Sequence, residues 1–391
     1  MHMSCKVTLL STLETKADEI AFLREALARL GVTCVLVDLS LDTKGQLLDG
    51  ARKIATMEQV VTRAQSQTEA QLAAGAQAVI GLGGGTGSEI ILRVMRALPI
   101  TFPKLLVTTL PFDPRIAVAD NSVILLPTLA DICGLNTTLR QVLDTAAAMI
   151  AGVCSAPPSS MELNTDPSIG ITALGATDGA VDRLVQGLRA RGREATVFHA
   201  NGYGGAAFAR FAEQGAFHTI VDLTPHELTR MRVAGAHTAM PTRFTAAAQK
   251  GLPQIVLPGA LNFIGLGAID LVPERFLNRP HYQHSGYFTH VKLTEDEMTG
   301  VATALVGHLN AAPDLAHLVV PMGGFSHQDA PGGAIEDEDL RAVFLRAARA
   351  AADPALNITV MEAHIAAPAV TDLILELLSR PPYARKETQH A

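Results

Sequence analysis

Short apolar runs alternate with amphipathic stretches along the whole chain. Residues 6–11, with Val7, Leu9 and Leu10, read as a buried strand. Residues 17–30 follow, with Ile20, Leu23, Leu27 and Leu30 spaced for one face of a helix, and Gly31 to stop it. Residues 32–38 read as a second strand, 57–74 as a helix and 78–82 as a strand that runs into a glycine-rich turn. A helix over 88–97 and strands over 104–109 and 122–126 complete the first half. Strand–helix alternation of this kind predicts a parallel sheet with helices on both faces.

The second half opens in the same way. Leu23-Arg24-Glu25-Ala26-Leu27-Ala28-Arg29-Leu30-Gly31 aligns without gaps with Leu184-Val185-Gln186-Gly187-Leu188-Arg189-Ala190-Arg191-Gly192, and strands follow at 33–38 and 194–199. The predicted fold class is α/β: two Rossmann-like or flavodoxin-like domains with mainly parallel sheets and an interdomain cleft. The expected boundaries are an N-terminal domain over 1–160, a C-terminal domain over 161–380 and a flexible tail over 381–391. Ser155-Ala156-Pro157-Pro158-Ser159-Ser160 is the natural linker.

A length of 391 residues agrees with two or three domains. With 48% hydrophobic and 18% charged residues the chain is too apolar to be disordered. The net charge of −7 argues against a protein that grips nucleic acid, and 4% aromatics with no Trp argue against a base-stacking platform. No apolar run reaches the roughly 18 residues of a membrane span, and Met1-His2-Met3 opens no signal-peptide core. Cys5, Cys34, Cys133 and Cys154 show no Cys-x-x-Cys spacing, so they read as small unpaired core residues of a reducing compartment. The expectation is a cytoplasmic protein.

The strongest local signal is the stretch Gly83, Gly84, Gly85, Thr86, Gly87 and Ser88, between a strand and a helix. Glycines let a backbone approach a phosphate, and N–H groups at a helix start attract negative charge. The stretch is neither a Walker A sequence nor the spaced Gly-x-Gly-x-x-Gly fingerprint; a tight helix-on-strand turn is the structural alternative. Thr12, Thr15 and Lys16 follow the first strand, where ligands of open α/β sheets bind; there Lys16 suits a phosphate, whereas Thr15 would also serve as a helix cap. Asp38 ends the second strand, a place for a carboxylate that takes ribose hydroxyls.

In the second half, His199 and the glycines Gly202, Gly204 and Gly205 join a strand end to a helix start. Asp222 ends the next strand, before Thr224-Pro225-His226-Glu227, where Thr224 as a cap with Pro225 behind it is the alternative to function. His281, His284 and His290 share a loop region without the convergent carboxylates or cysteines of a metal site, so no protein-held metal is expected. The glycine-rich stretch 322–333 reads as a lid or binding loop, and Ser326, His327 and Asp329 are too close in sequence to form a triad. The acid–base candidates are His199, Glu227 and His284.

Taken in order, these residues resemble a known family. The series comprises Glu14-Thr15-Lys16, the 83–88 loop, Met95-Arg96-Ala97-Leu98-Pro99-Ile100, Pro103-Lys104 and Asp131-Ile132-Cys133-Gly134-Leu135-Asn136, then Phe198-His199-Ala200-Asn201-Gly202-Tyr203-Gly204-Gly205 and Pro258-Gly259-Ala260-Leu261. It is similar to the ATP-binding domain family of the plant tobamovirus-resistance protein, over nearly the whole chain to about residue 378. The resemblance implies a two-domain, usually homo-oligomeric α/β module that binds ATP, with magnesium carried by the nucleotide. In the plant protein the module binds and blocks a viral replication protein. The chain departs from the family pattern at Glu14, Thr86, Asn262, Ser285 and Lys292, and Asn262 replaces a carboxylate.

The leading functional expectation is a nucleotide-binding protein, an ATP- or phosphometabolite-using enzyme of small-molecule metabolism. Its partner is a nucleotide or phosphorylated small molecule, with neither nucleic acid nor membrane. The alternatives are a lyase or hydrolase of a phosphate or carboxylate metabolite without ATP, and a non-catalytic, ligand-gated interaction protein.

Overall fold

The computed structural model describes residues 5–42, 48–111, 113, 118–156, 168–234 and 240–385. The chain divides into two units, Met1–Ser160 and Met161–Ala391. Residues 157–160 of the expected linker lie outside the described residues.

Unit 1 runs β1 (Cys5–Ser11), α1 (Leu13–Arg29), β2 (Val32–Asp38), α2 (Gly50–Ala73), β3 (Ala78–Gly83), α3 (Gly85–Ala97), β4 (Lys104–Thr108), β5 (Val123–Pro127) and α4 (Thr137–Ser155). The strands pair in parallel in the order β2-β1-β3-β4-β5. That is the flavodoxin-like arrangement, and the direction of winding reverses between β1 and β3. β1 is an unbroken apolar run because it is covered on both faces. Val7 and Leu9 pack with Leu23, Leu27, Leu139 and Leu143 of α1 and α4, and Leu10 packs with Ile90, Ile91 and Val60 of α3 and α2. α1 ends as its sequence predicts, with Gly31 at φ +76°.

The cysteines depart from expectation. Cys5, at the start of β1, is disulfide-bonded to Cys154 near the end of α4, with Cα atoms 5.8 Å apart. Cys34 and Cys133 are free; burial pushes the Cys34 thiol up to about 11.

Unit 2 repeats the topology and adds to it. β6 (Ser168–Ala173), α5 (Asp178–Arg189), β7 (Ala195–His199), α6 (Tyr203–Glu213), β8 (Phe217–Asp222) and β9 (Gln254–Val256) come first. A small antiparallel sheet is then inserted: β10 (Phe263–Leu266), β11 (His281–Gln283) and β12 (Thr289–Lys292), with β12 in the middle. The main sheet resumes with α7 (Glu295–Leu309), β13 (Ala316–Pro321), α8 (Glu338–Ala351), β14 (Asn357–Met361) and α9 (Pro368–Leu378). Its six strands are parallel in the order β7-β6-β8-β9-β13-β14, with the reversal between β6 and β8. Both units are therefore Rossmann-like α/β sheets of one strand order.

Residues 381–385, expected to begin a loose tail, form a turn in which Tyr383 is buried beside Leu378 and Leu184; residues 386–391 lie outside the described residues. Among the described residues no helix is long and apolar enough to cross a membrane.

Candidate functional site

The reversal point of unit 1 brings the two candidate phosphate loops side by side. Ser11 is the register partner of Leu82, and its hydroxyl donates to the Leu82 carbonyl at 2.7 Å. Beyond these residues the chain enters α1 and α3, whose first turns differ sharply.

The start of α1 is closed. Asp38 Oδ1 accepts from Leu13 N at 2.9 Å, and Ser40 Oγ accepts from Glu14 N at 2.9 Å. Thr15 N and Lys16 N both donate to the Thr12 carbonyl. Thr12, not Thr15, holds the cap position, and the two hydroxyls bond each other at 2.9 Å. Asp38 Oδ1 also takes Ser40 N at 3.0 Å and Ser40 Oγ at 2.6 Å. Burial opposes its charge, but these hydrogen bonds and the nearby Arg63 hold its carboxyl below the usual range. Asp38 is thus a latch between β2 and α1, a departure from the ribose-binding expectation. Lys16 interrupts the helix at φ −133°, ψ 26°, and its ammonium donates to the Ile132 carbonyl in the loop after β5.

The start of α3 is open. Ser88 N bonds the Gly84 carbonyl, while the N–H groups of Gly85, Thr86 and Gly87 have no acceptor among the described residues. The glycines fall into two sets. A Cβ on Gly83 would lie 2.8 Å from Ser88 N and 2.9 Å from Gly87 C, so helix packing demands glycine there. A Cβ on Gly84, Gly85 or Gly87 would meet nothing closer than 3.9 Å, and none of the three has a positive φ. Among the described residues nothing in the packing requires those glycines. Ser88 is fully buried; it donates to the Gly83 carbonyl at 2.8 Å and pairs with Thr108 Oγ1 at 2.7 Å, so it braces the turn from beneath. The Thr86 side chain is half-buried. Thr12 stands beside this loop, its Cγ2 3.9 Å from the Cβ position of Gly87.

In unit 2 the candidate glycines follow β7, the counterpart of β2 and not of β3, and the protein itself fills the space beside them. A Cβ on Gly204 would lie 2.1 Å from the His199 carbonyl, and one on Gly205 would lie 2.2 Å from Glu227 Oε1. Gly202, at φ +101°, donates its N–H to Glu227 Oε1 at 3.3 Å. Gly202, Gly204 and Gly205 therefore serve packing, which departs from the cofactor-binding expectation. Glu227 itself belongs to a buried ion network. Arg243 grips both Asp222 oxygens, at 2.7 and 2.9 Å, and reaches Glu227 Oε2 at 3.2 Å. Burial raises the Glu227 carboxyl, with the Arg243 charge opposing and the Asp222 charge adding to the rise. Thr172 on β6 donates to Asp222 Oδ1 at 2.6 Å. The network ties β6 and β8 to the segments beyond them, and Glu227 reads as one of its ties rather than as an acid–base group.

The histidines are arranged as a column. His226 donates from Nδ1 to the Ala260 carbonyl at 2.7 Å, and its ring lies 4.7 Å from that of Phe263. His290 stacks on Phe263 at 4.1 Å, and the exposed His284 stacks on His290 at 4.9 Å. Burial lowers His226 to about 4; the Ala260 bond opposes the fall, and Arg230 and His199 add to it. Burial, then the neighbouring His226 and His284, lowers His290 to about 3. Two of the three acid–base candidates, His199 and His284, thus neighbour a buried pair, His226 and His290, that the sequence offered only as part of a cap segment and of a His-rich loop. The signal was there in His226 beside Glu227, and in His290 on a strand of alternating polarity. Arg243 lay in a stretch with no periodic pattern.

The glycine-rich loop after β13 is not an open lid. Asp329 accepts from Phe325 N, Asp337 N and Arg341, and the Ser326 carbonyl bonds the His364 ring at 2.9 Å. Asn262 is buried, with neither amide atom partnered, and Lys292 pairs with Asp337 at 2.6 Å. Among the described residues no three His, Cys, Asp or Glu side chains gather as a metal site.

Comparison with known proteins agrees with this architecture. Residues 42–159 match the N-terminal domain, and residues 166–380 the C-terminal domain, of the uncharacterised protein family UPF0261. A UPF0261 protein of Mesorhizobium japonicum is 31% identical over 92% of this chain and 95% of its own length. One from Clostridium tetani is 30% identical over 84% of this chain and 87% of its own. The ToMV resistance protein Tm-1(GCR237) of Solanum lycopersicum is 30% identical over 68% of this chain and 36% of its own length. The two matched domains and the near full-length bacterial relatives place the chain in the UPF0261 family, to which the tomato resistance protein is also similar.

Proposed function

We propose that this chain is a nucleotide-binding protein that takes ATP, with the phosphates over the N–H groups of Gly85, Thr86 and Gly87. The observation that carries this reading is the contrast between two neighbouring helix starts: every donor at α1 has an acceptor, whereas among the described residues α3 presents three unmet donors under glycines that packing does not require. A phosphate needs that bare backbone, because a side chain at Gly84, Gly85 or Gly87 would occupy its place. Thr12 and Thr86 supply hydroxyl donors nearby, and Lys16 supplies the cation. The family resemblance points to the same ligand. Magnesium, on this reading, arrives with the nucleotide and is held by its phosphate oxygens. The use made of ATP is that of an enzyme of small-molecule metabolism.

Calorimetry with magnesium-ATP tests the proposal. The wild type is expected to bind, and Gly85→Val to lose binding while keeping the circular dichroism of the wild type. Lys16→Met is expected to weaken affinity by roughly 10- to 100-fold, the worth of one charge-assisted hydrogen bond. A wild type that gives no binding heat, or a Gly85→Val protein that binds equally well, would overturn it.

A further inference from the structure

The unpartnered polar atoms of unit 2 are concentrated at one end of its sheet. They belong to Asn262, Thr289, His290, Ser326 and Gln328, on the loops and inserted strands that follow β9 and β13, and to the buried Arg243 and Arg341. Buried polar groups are rarely left unpaired unless water or a ligand completes them. Asn262 is 1% exposed and His290 7%.

The geometry around His226 narrows what belongs there. Its Nδ1–H is given to the Ala260 carbonyl, so the neutral ring offers Nε2 as a pure acceptor, without a partner among the described residues. A Cβ on Gly265 would lie 3.2 Å from that nitrogen. Gly265 is the cross-strand partner of His290, so its missing side chain opens on the face that carries the second imidazole. Phe263, two residues earlier on that face, packs against both rings. Two neutral imidazoles are thus gathered on one aromatic ring, beside the β6–β8 reversal where a sheet of this topology binds its ligand.

The chemistry of a fitting ligand follows. An acceptor nitrogen asks for a hydroxyl donor. No buried carboxylate remains to meet a cation, because Asp222 and Glu227 share Arg243, and Asp329 is paired with Arg341. The Arg230 guanidinium that bears on His226 is positive and favours an anion.

We propose that unit 2 holds a second ligand site, for a small hydroxylated carboxylate, with His226 and His290 as its hydrogen-bonding residues and the space above Gly265 as its opening. The site does not depend on the nucleotide reading. Gluconate and glycerate serve as probes in thermal-shift and calorimetric titrations, with sorbitol and ethanolamine as the uncharged and cationic comparisons. The hydroxy acids are expected to bind the wild type and the nucleotide-loop variant Gly85→Val alike. Gly265→Val, which fills the space beside His226 Nε2, and His290→Phe are expected to lose about tenfold or more in affinity. Failure of both acids to bind the wild type, preference for sorbitol or ethanolamine, or full affinity in both unit 2 variants would overturn the proposal.

Discussion

A methyl group on Gly83 would press on the backbone of Ser88 and Gly87, whereas one on Gly85 would reach only van der Waals distance from Pro111. The two alanine variants are therefore expected to separate stability from binding. Gly83→Ala forces the first turn of α3 off β3 and should cost about 1–3 kcal/mol in chemical denaturation. Gly85→Ala should hold or gain stability, up to about 1 kcal/mol for a helical position, yet weaken magnesium-ATP binding in calorimetry. Equal losses of stability in both would mean that both glycines serve packing. Asp38 gives the same lesson in reverse. A carboxylate at a strand end looked free for a ribose, but it is engaged by three donors around the start of α1. Side-chain identity told where polar chemistry gathers; only the neighbours told which groups were already committed.

The element most exposed to a single change is the turn beyond β8. Arg243 compensates two carboxylates there, and all three side chains are buried. Arg243→Leu leaves Asp222 and Glu227 without a counter-ion and is expected to cost about 3–5 kcal/mol in urea unfolding. A smaller loss would mean that water reaches the network. The histidine column sets the acid response of the inserted sheet. Unfolded histidine titrates near 6.5, while folded His226 and His290 resist protonation down to about 4 and about 3. Their contribution is complete above pH 6.5 and is lost as pH falls below it, at up to about 1.4 kcal/mol per pH unit for each ring. Comparing unfolding free energies at pH 7 and pH 5, His290→Phe should show a shallower fall than the wild type. The strands with long apolar runs were legible from sequence because both faces of a parallel sheet are covered: β1 and β3 are buried almost throughout and carry near-continuous apolar runs. β9 and β11 were not, since three residues carry no periodicity and β11 is exposed along its length. Arg243 was invisible for a related reason, because its partners are brought to it by the fold and not by local spacing.

At the scale of the molecule, one strand order occurs twice, and the two copies have used their ligand-binding ends differently. Among the described residues unit 1 leaves the start of α3 bare; unit 2 fills the space at the glycines after β7 and adds an inserted antiparallel sheet. The short gapless match of residues 23–31 with 184–192 falls on the first helix of each unit and the turn after it. Hydrogen exchange should resolve the division. Magnesium-ATP is expected to slow exchange at the amides of residues 85–87 and leave β10 and β12 unchanged, and gluconate to do the opposite; protection of both regions by one ligand would contradict separate sites. The Cys5–Cys154 bond has its own consequence for unit 1. It closes 149 positions of sequence into a covalent ring that contains β1, the start of α1 and the whole 83–88 loop. A protease that nicks this ring once cuts the chain without releasing a fragment, so unit 1 stays a single species until a reductant opens it.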